Sequence, residues 1–212
     1  MLLRLVNIFG YLSVLLRAGT LVFQSLLLGG VLFIPWVARP SSEIPDNSLE
    51  KVRSSSLRLF RIAAIGLAIV QALYLYVNSA VLMASAEMGL RDIVGANFFI
   101  SGSIVFTAAI LAALLATIRS KFAMTWLGLL VAIILAASVM TNHAASRMDG
   151  RAPLIVLSFL HELATGFWIG GLPFLLLGLF VGKTSSTQWR LTRRFSQIAL
   201  VSVAVIVFSG VA

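Results

Sequence analysis

Two adjacent ionisable residues, His161 and Glu162, lie within an otherwise apolar stretch, SFLHELATGFWIGGLPFLL, at residues 158–176. The stretch is long and apolar enough to lie inside a lipid bilayer. Ionisable side chains are expensive at membrane depth, and for that reason they mark candidate functional sites. We therefore interpret this pair as functional rather than as a packing feature.

A second histidine, His143, occurs in the segment NHAASRMDG (residues 142–150), shortly before the helix that carries His161. Imidazole and thioether groups suit copper, and thioethers favour the cuprous ion. Consecutive antiparallel helices would let the two histidines face each other near one membrane surface. The pattern predicts a soft-metal site with His143 and His161 as ligands and with Met148 and Asp149 as auxiliary candidates. The alternative is that each histidine only hydrogen-bonds a neighbouring helix.

Glu162 lies about 100° around the helix from His161, because an α-helix has about 3.6 residues per turn. Side chains at adjacent positions do not face each other, so we expect Glu162 to serve a different helix. Three roles are open to it: fixing an imidazole tautomer, relaying protons, or pairing with a buried arginine. Arg17 is the candidate arginine, unless its side chain extends to the lipid headgroups instead.

Two further polar stripes follow helical spacing. They comprise Arg17, Thr20 and Gln24 on one predicted helix and Gln71, Tyr74 and Asn78 on the next. Polar side chains in membrane helices commonly form interhelical hydrogen bonds. We favour that interpretation and keep a polar translocation path as the alternative.

The composition indicates that these helices are surrounded by lipid and not by water. Hydrophobic residues make up 60% of the 212-residue chain and charged residues only 11%, whereas soluble domains carry about 25% charged residues.

The chain has no cysteine, which excludes disulfides, thiolate metal sites and cysteine nucleophiles. The net charge of +9 is accompanied by no nucleic-acid-binding motif, so we expect no nucleic-acid partner. No arrangement of residues indicates covalent or hydrolytic catalysis, and we expect the protein not to be an enzyme.

The apolar stretches predict an all-α fold, a polytopic membrane helical bundle that forms a single domain over residues 1–212. Six stretches reach or approach the ~20 residues that span a bilayer. They cover about 12–37, 62–84, 97–118, 123–145, 153–181 and 195–212.

The basic residues between these stretches predict the orientation. Most of them fall in alternate connections: Arg39, Lys51, Arg53, Arg58, Arg61, Arg119, Lys121, Lys183, Arg190, Arg193 and Arg194. Cytoplasmic loops carry an excess of Lys and Arg. We therefore expect the linker 38–61 to be cytoplasmic, with a short separate helix at PDNSLEKV, and both termini to lie on the outer, periplasmic side.

Small residues in the fifth stretch predict a close helix contact. Gly166 and Gly170 have the GxxxG spacing that lets another backbone approach, and Gly171 and Pro173 follow in GGLP. The glycines indicate packing, and Pro173 predicts a kink that neighbouring helices can accommodate.

Residues from about 142 to 212 resemble a known family. NHAASRMDGRAPLIVLSFLHELATGFWIGGLPFLL, followed by RRFSQIALVSVAVIVFSGV, is similar to the copper resistance protein D (CopD) family of bacterial inner-membrane proteins. The resemblance rests on His-Ala-Ala at a helix end, on a helix with His, Trp and Gly-Gly-Leu-Pro, and on the Arg-Phe-Ser and Ser-Gly-Val that bound the next helix.

The resemblance implies copper transport or copper homeostasis across a bacterial inner membrane, with copper ion as the bound species. It makes His143 and His161 the leading metal residues, with Trp168, Gly170, Gly171 and Pro173 as the scaffold. It also implies a periplasmic copper-binding partner of the CopC type, besides membrane lipid.

Two alternatives remain open at this point. One is an accessory structural subunit of a larger respiratory or photosynthetic membrane complex that retains the CopD-like fold. The other is an electron carrier with a single haem. It is disfavoured because bis-His ligation needs both imidazoles at matching depth.

Overall fold

The computed structural model describes residues 2–39, 47–86, 88–118, 120–139 and 151–211, and these residues are almost entirely helical. The helices are α1 (Leu2–Leu32), α2 (Asn47–Ala86), α3 (Leu90–Gly95), α4 (Asn97–Leu115), α5 (Lys121–Val139), α6 (Arg151–Val181) and α7 (Ser185–Val211). Six of them, all except the short α3, are long and apolar enough to cross a membrane. The prediction of an all-α bundle with six spanning helices is confirmed.

Helices α1 and α6 form the centre of the bundle. Helix α6 packs mainly on α1 and α7, α1 also packs on α2, and α2 packs on α4, which in turn packs on α5. The buried core is made of aliphatic and Phe side chains together with many alanines on α2 and α4. Large apolar side chains such as Tyr76, Phe180 and Phe208 remain exposed on the outside of the bundle, as expected for helices whose outer faces meet lipid.

Two helices extend further into the basic segments than the sequence predicts. Residues 47–61, expected in a linker with a separate short helix, form the first part of the continuous 40-residue α2. Helix α7 likewise begins at Ser185, ten positions before its predicted span. Hydropathy marks where a chain enters lipid, but backbone hydrogen bonding continues a helix into water when the residues there tolerate it.

The first helix ends in a π-helical turn, Phe33–Val37. Pro35 lies in this turn and has no backbone N–H to donate to the preceding turn. The Ala38 amide donates to the Phe33 carbonyl over 2.9 Å and closes the turn. Arg194 of α7 donates to the carbonyls of Val37 and Arg39 at 3.1 and 2.9 Å. This contact joins the C-terminal end of α1 to the N-terminal half of α7.

Candidate functional site

His161 lies half-buried on α6, on the side that packs against α7. Its Nδ1 is 3.0 Å from the Ser209 hydroxyl oxygen. Gly210 also lies against the imidazole, since a Cβ added there would be 3.7 Å from Cε1 of the ring. The neighbours that the structure assigns to His161 therefore come from the last turns of α7.

The hydrogen bonds of the Ser209 hydroxyl favour one tautomer of His161. Ser209 donates to the Val205 carbonyl over 2.7 Å within its own helix. With its proton used in that bond, the hydroxyl oxygen accepts from His161 Nδ1–H. A neutral imidazole has one protonated nitrogen, and the hydrogen bond of one nitrogen sets the role of the other. This arrangement leaves Nε2 with a lone pair, in the form that ligates metals.

A cavity of about 330 Å³ adjoins this histidine. Its walls come from α6 and α7: Leu154, Leu157, Ser158, His161, Glu162, Ser209 and Gly210. The polar groups in the wall are two hydroxyls, the imidazole and the carboxylate. The imidazole is therefore at an open pocket and is not enclosed by packing.

Glu162 also lines a second polar cavity on the other side of α6. This cavity, of about 310 Å³, is lined by α1, α2, α4, α5 and α6: Arg17, Thr20, Leu21, Gln24, Gln71, Tyr74, Phe98, Ser101, Gly102, Val105, Ser138 and Glu162. Glu162 thus faces helices that His161 does not, as its position 100° around α6 predicts. The carboxylate forms part of the wall of both cavities.

The polar stripes of α1 and α2 converge on the second cavity. Arg17, Thr20 and Gln24 line it from α1, and Gln71 and Tyr74 line it from α2. Thr20 Oγ1 is 3.5 Å from Gln71 Oε1, a distance at the limit of a hydrogen bond. Asn78 instead donates to the Tyr74 carbonyl of its own helix over 2.8 Å. The two stripes therefore border a common space.

The predicted partners of His161 in the metal site, His143, Met148 and Asp149, lie outside the described residues. Their pairing with His161 stays a prediction. Within the ranges that the structure describes, no three His, Asp or Glu side chains come together as a metal cluster.

The predicted scaffold residues lie about two to three turns further along α6 than His161. Gly170 meets the backbone of α1, because a Cβ there would overlap the Ser25 carbonyl. Gly171 faces the Phe195 ring of α7, whose Cε2 would be 2.7 Å from an added Cβ. Trp168 and Pro173 are half-buried, and Pro173 is inside the continuous helix α6.

Sequence reasoning missed the contact of Ser209 and Gly210 with His161. Both residues belong to the motif VFSGV that closes the last helix. Hydropathy and spacing give no register between two helices, so the contact could not be derived from them.

Comparison with known proteins gives a partial match. The chain is similar to the copper transport protein CutJ of Bacillus subtilis (strain 168), with 36% identity over 80 residues. This region is 36% of the chain but 15% of the relative, so the chain matches a small part of that protein. No protein-family model and no solved structure matches the chain. The chain is a multi-helical membrane protein with partial homology to a copper transport protein.

Proposed function

We propose that this protein handles copper in a bacterial inner membrane, as a CopD-like component of copper transport or copper homeostasis. The copper ion is its cargo, bound near the outer surface and released again. The partial homology to a copper transport protein supports the choice of metal. The absence of cysteine from the whole sequence is compatible with a site that releases its metal, because thiolates would hold cuprous ion tightly.

One observation carries the role of His161. The bond between Nδ1 and Ser209, with Ser209 donating to Val205, favours the tautomer with an unprotonated Nε2, and the residue lines a cavity of about 330 Å³. Metal-ligating histidines characteristically donate their other N–H to a neighbouring acceptor, which fixes the tautomer and the ring orientation. Ser209 supplies that acceptor here.

The remaining ligands in this proposal come from the segment that precedes α6. His143 supplies the second imidazole, with Met148 and Asp149 as auxiliary ligands. Imidazole and thioether together suit the cuprous ion. A periplasmic copper-binding protein of the CopC type is the proposed donor or acceptor of the ion.

Elemental analysis of detergent-purified protein loaded with cuprous ion tests the proposal. We expect about one copper per chain, with a loss of at least about tenfold in affinity on His161→Ala, since one ligand is removed. The matched control is Met83→Ala, because Met83 is an exposed soft side chain on α2 that does not line the His161 cavity. A His161→Ala variant that retains as much copper as the Met83→Ala variant would exclude His161 as a ligand.

His143→Ala separates the two proposed histidine ligands. If it lowers copper binding as much as His161→Ala does, both histidines act in one site. Wild-type protein that takes up no copper would contradict the copper proposal itself. The next experiment would then identify the complex with which the protein purifies.

A further inference from the structure

The polar cavity between α1, α2, α4, α5 and α6 extends deep into the bundle. The basic residue Arg61 marks the cytoplasmic end of the apolar part of α2, according to the charge distribution. The axial rise from Arg61 to Gln71 is about 15 Å at 1.5 Å per residue. Because the hydrocarbon core of a bilayer is about 30 Å thick, Gln71 lies near its middle. The cavity that Gln71 lines therefore reaches about half-way through the membrane.

Two amide side chains are buried in the wall of this cavity. Gln24 and Gln71 are 3% and 5% exposed. Gln24 Oε1 has no hydrogen-bond partner in the part of the chain that the structure describes. Leaving an amide unsatisfied in an apolar environment costs roughly 1–3 kcal/mol. Water in the cavity would remove that cost, since buried waters bind polar groups that the protein leaves unsatisfied.

The cavity also has an opening at the protein surface. Arg17 lines it and is exposed, and it lies about two turns of α1 beyond Gln24, on the side away from the basic linkers. The volume of about 310 Å³ accommodates several waters, because a water occupies about 30 Å³ in the liquid. The grooves on the outside of α4 are different, since their lining is almost entirely aliphatic and aromatic.

We propose that this cavity is a water-filled vestibule that opens at the outer end of the bundle and binds small hydrophilic solutes. Its oxygen-rich wall, formed by Thr20, Gln24, Tyr74, Ser101 and Glu162, replaces part of the hydration of a solute that enters. Glu162 also borders the His161 cavity, so the vestibule leads to the wall of the imidazole site. Its role as the route of the copper ion rests on the proposed function, whereas its hydration does not.

The absence of cysteine from the chain allows a direct test by single cysteine substitutions. Ser101→Cys on α4 and Gln24→Cys on α1 place a thiol in the vestibule wall. Each has a matched control on the same helix at nearly the same depth. Ser103→Cys lies in an apolar outer groove of α4, and Val22→Cys lies on the exposed face of α1.

The variants are treated in intact spheroplasts with a membrane-impermeant trimethylammonium-ethyl methanethiosulfonate. The cysteine thiolate attacks the reagent, forms a mixed disulfide and releases methanesulfinate, and intact-protein mass spectrometry measures the modified fraction. We expect the vestibule cysteines to react at least about tenfold faster than their controls, because thiolates form in water and not in lipid.

Reaction of both vestibule cysteines no faster than their controls would overturn the proposal. Two positions on different helices guard against misfolding of one variant, and correct folding is checked by monodisperse elution in detergent. The measurement is made without copper. Failure of copper binding with rapid cysteine modification would therefore reject the proposed function alone, and the opposite result would reject the vestibule alone.

Discussion

Helices α1 and α6 contact each other in two different ways along their length. In the half near the basic linkers, Gly29 and Gly170 bring the two backbones into direct contact, and a Cβ on either would overlap the other helix. In the opposite half, Gln24 and Glu162 border a polar cavity of about 310 Å³. The same helix pair is thus tightly packed at one end and open at the other.

The difference shows how a membrane bundle can maintain an internal polar space. Lipid supplies no hydrophobic driving force between helices, so association depends on close packing and hydrogen bonds. The glycine contact supplies the packing and fixes the separation and crossing of the two helices. In the other half, the polar side chains lie at positions where α1 and α6 are not in close contact.

The largest effect is expected from filling the glycine contact. Gly170→Ala places a methyl group against the Ser25 carbonyl, and a backbone atom cannot move aside as a side chain can. We expect destabilisation on the order of 3 kcal/mol, since overpacking costs about 1–3 kcal/mol and more when backbones must separate. Denaturant unfolding in detergent measures it.

Gly128→Ala is the control for that substitution. Gly128 is in the interior of α5, and an added Cβ would meet only Val31 at 3.9 Å. Alanine favours helix over glycine by about 1 kcal/mol, so this variant should be neutral or slightly more stable. Equal destabilisation by both substitutions would show that the α1–α6 glycine contact is not the cause.

A smaller loss of stability is expected when the contact between Arg194 of α7 and the end of α1 is removed. Arg194→Gln removes the two hydrogen bonds to the Val37 and Arg39 carbonyls. Hydrogen bonds to charged groups contribute about 1.5–3 kcal/mol, and we expect a loss of about 2 kcal/mol in denaturant unfolding. Arg190→Gln, one turn earlier on α7, keeps these bonds and should change stability less. If the two variants unfold alike, the contact with α1 does not stabilise the fold.

At the His161 cavity, Ser209→Ala removes the hydrogen-bond partner of His161 Nδ1 and leaves the imidazole unchanged. Substituting the partner of a metal-ligating histidine costs about 10–100-fold in affinity, and we expect a loss of about tenfold in cuprous ion binding. Ser196→Ala, an exposed serine on the same helix, is the control. Unchanged affinity in Ser209→Ala would mean that the Nδ1 bond does not orient a ligand.

The smallest effect is expected from Gln24→Leu, and its size distinguishes a wet cavity from a dry one. In a dry cavity, removing an unsatisfied buried amide would stabilise the protein by roughly 1–3 kcal/mol. In a hydrated vestibule the amide is already satisfied by water, so we expect a change within about 0.5 kcal/mol. A clear gain in the unfolding free energy would indicate a dry interior.

Much of the fold follows from local sequence properties. Hydropathy and length predict six spanning helices, and the described part of the chain contains six helices long and apolar enough to cross a membrane. The GxxxG spacing at Gly166 and Gly170 correctly predicts a close helix contact. Helix ends are less predictable, as residues 47–61 show: this charged segment belongs to the same helix as the apolar stretch that follows it.

Hydrophobicity and the 3.6-residue period act within one helix. The amino-acid sequence alone therefore predicts a lipid environment, the number of spanning helices and the residue types available for chemistry. The packed bundle is needed to show that α1 is the partner of the glycines, that Ser209 contacts His161, and that the stripes of α1 and α2 share a cavity with Glu162. These contacts depend on the register and rotation of helices distant in sequence. Side-chain packing across the whole bundle sets that register, and no single segment encodes it.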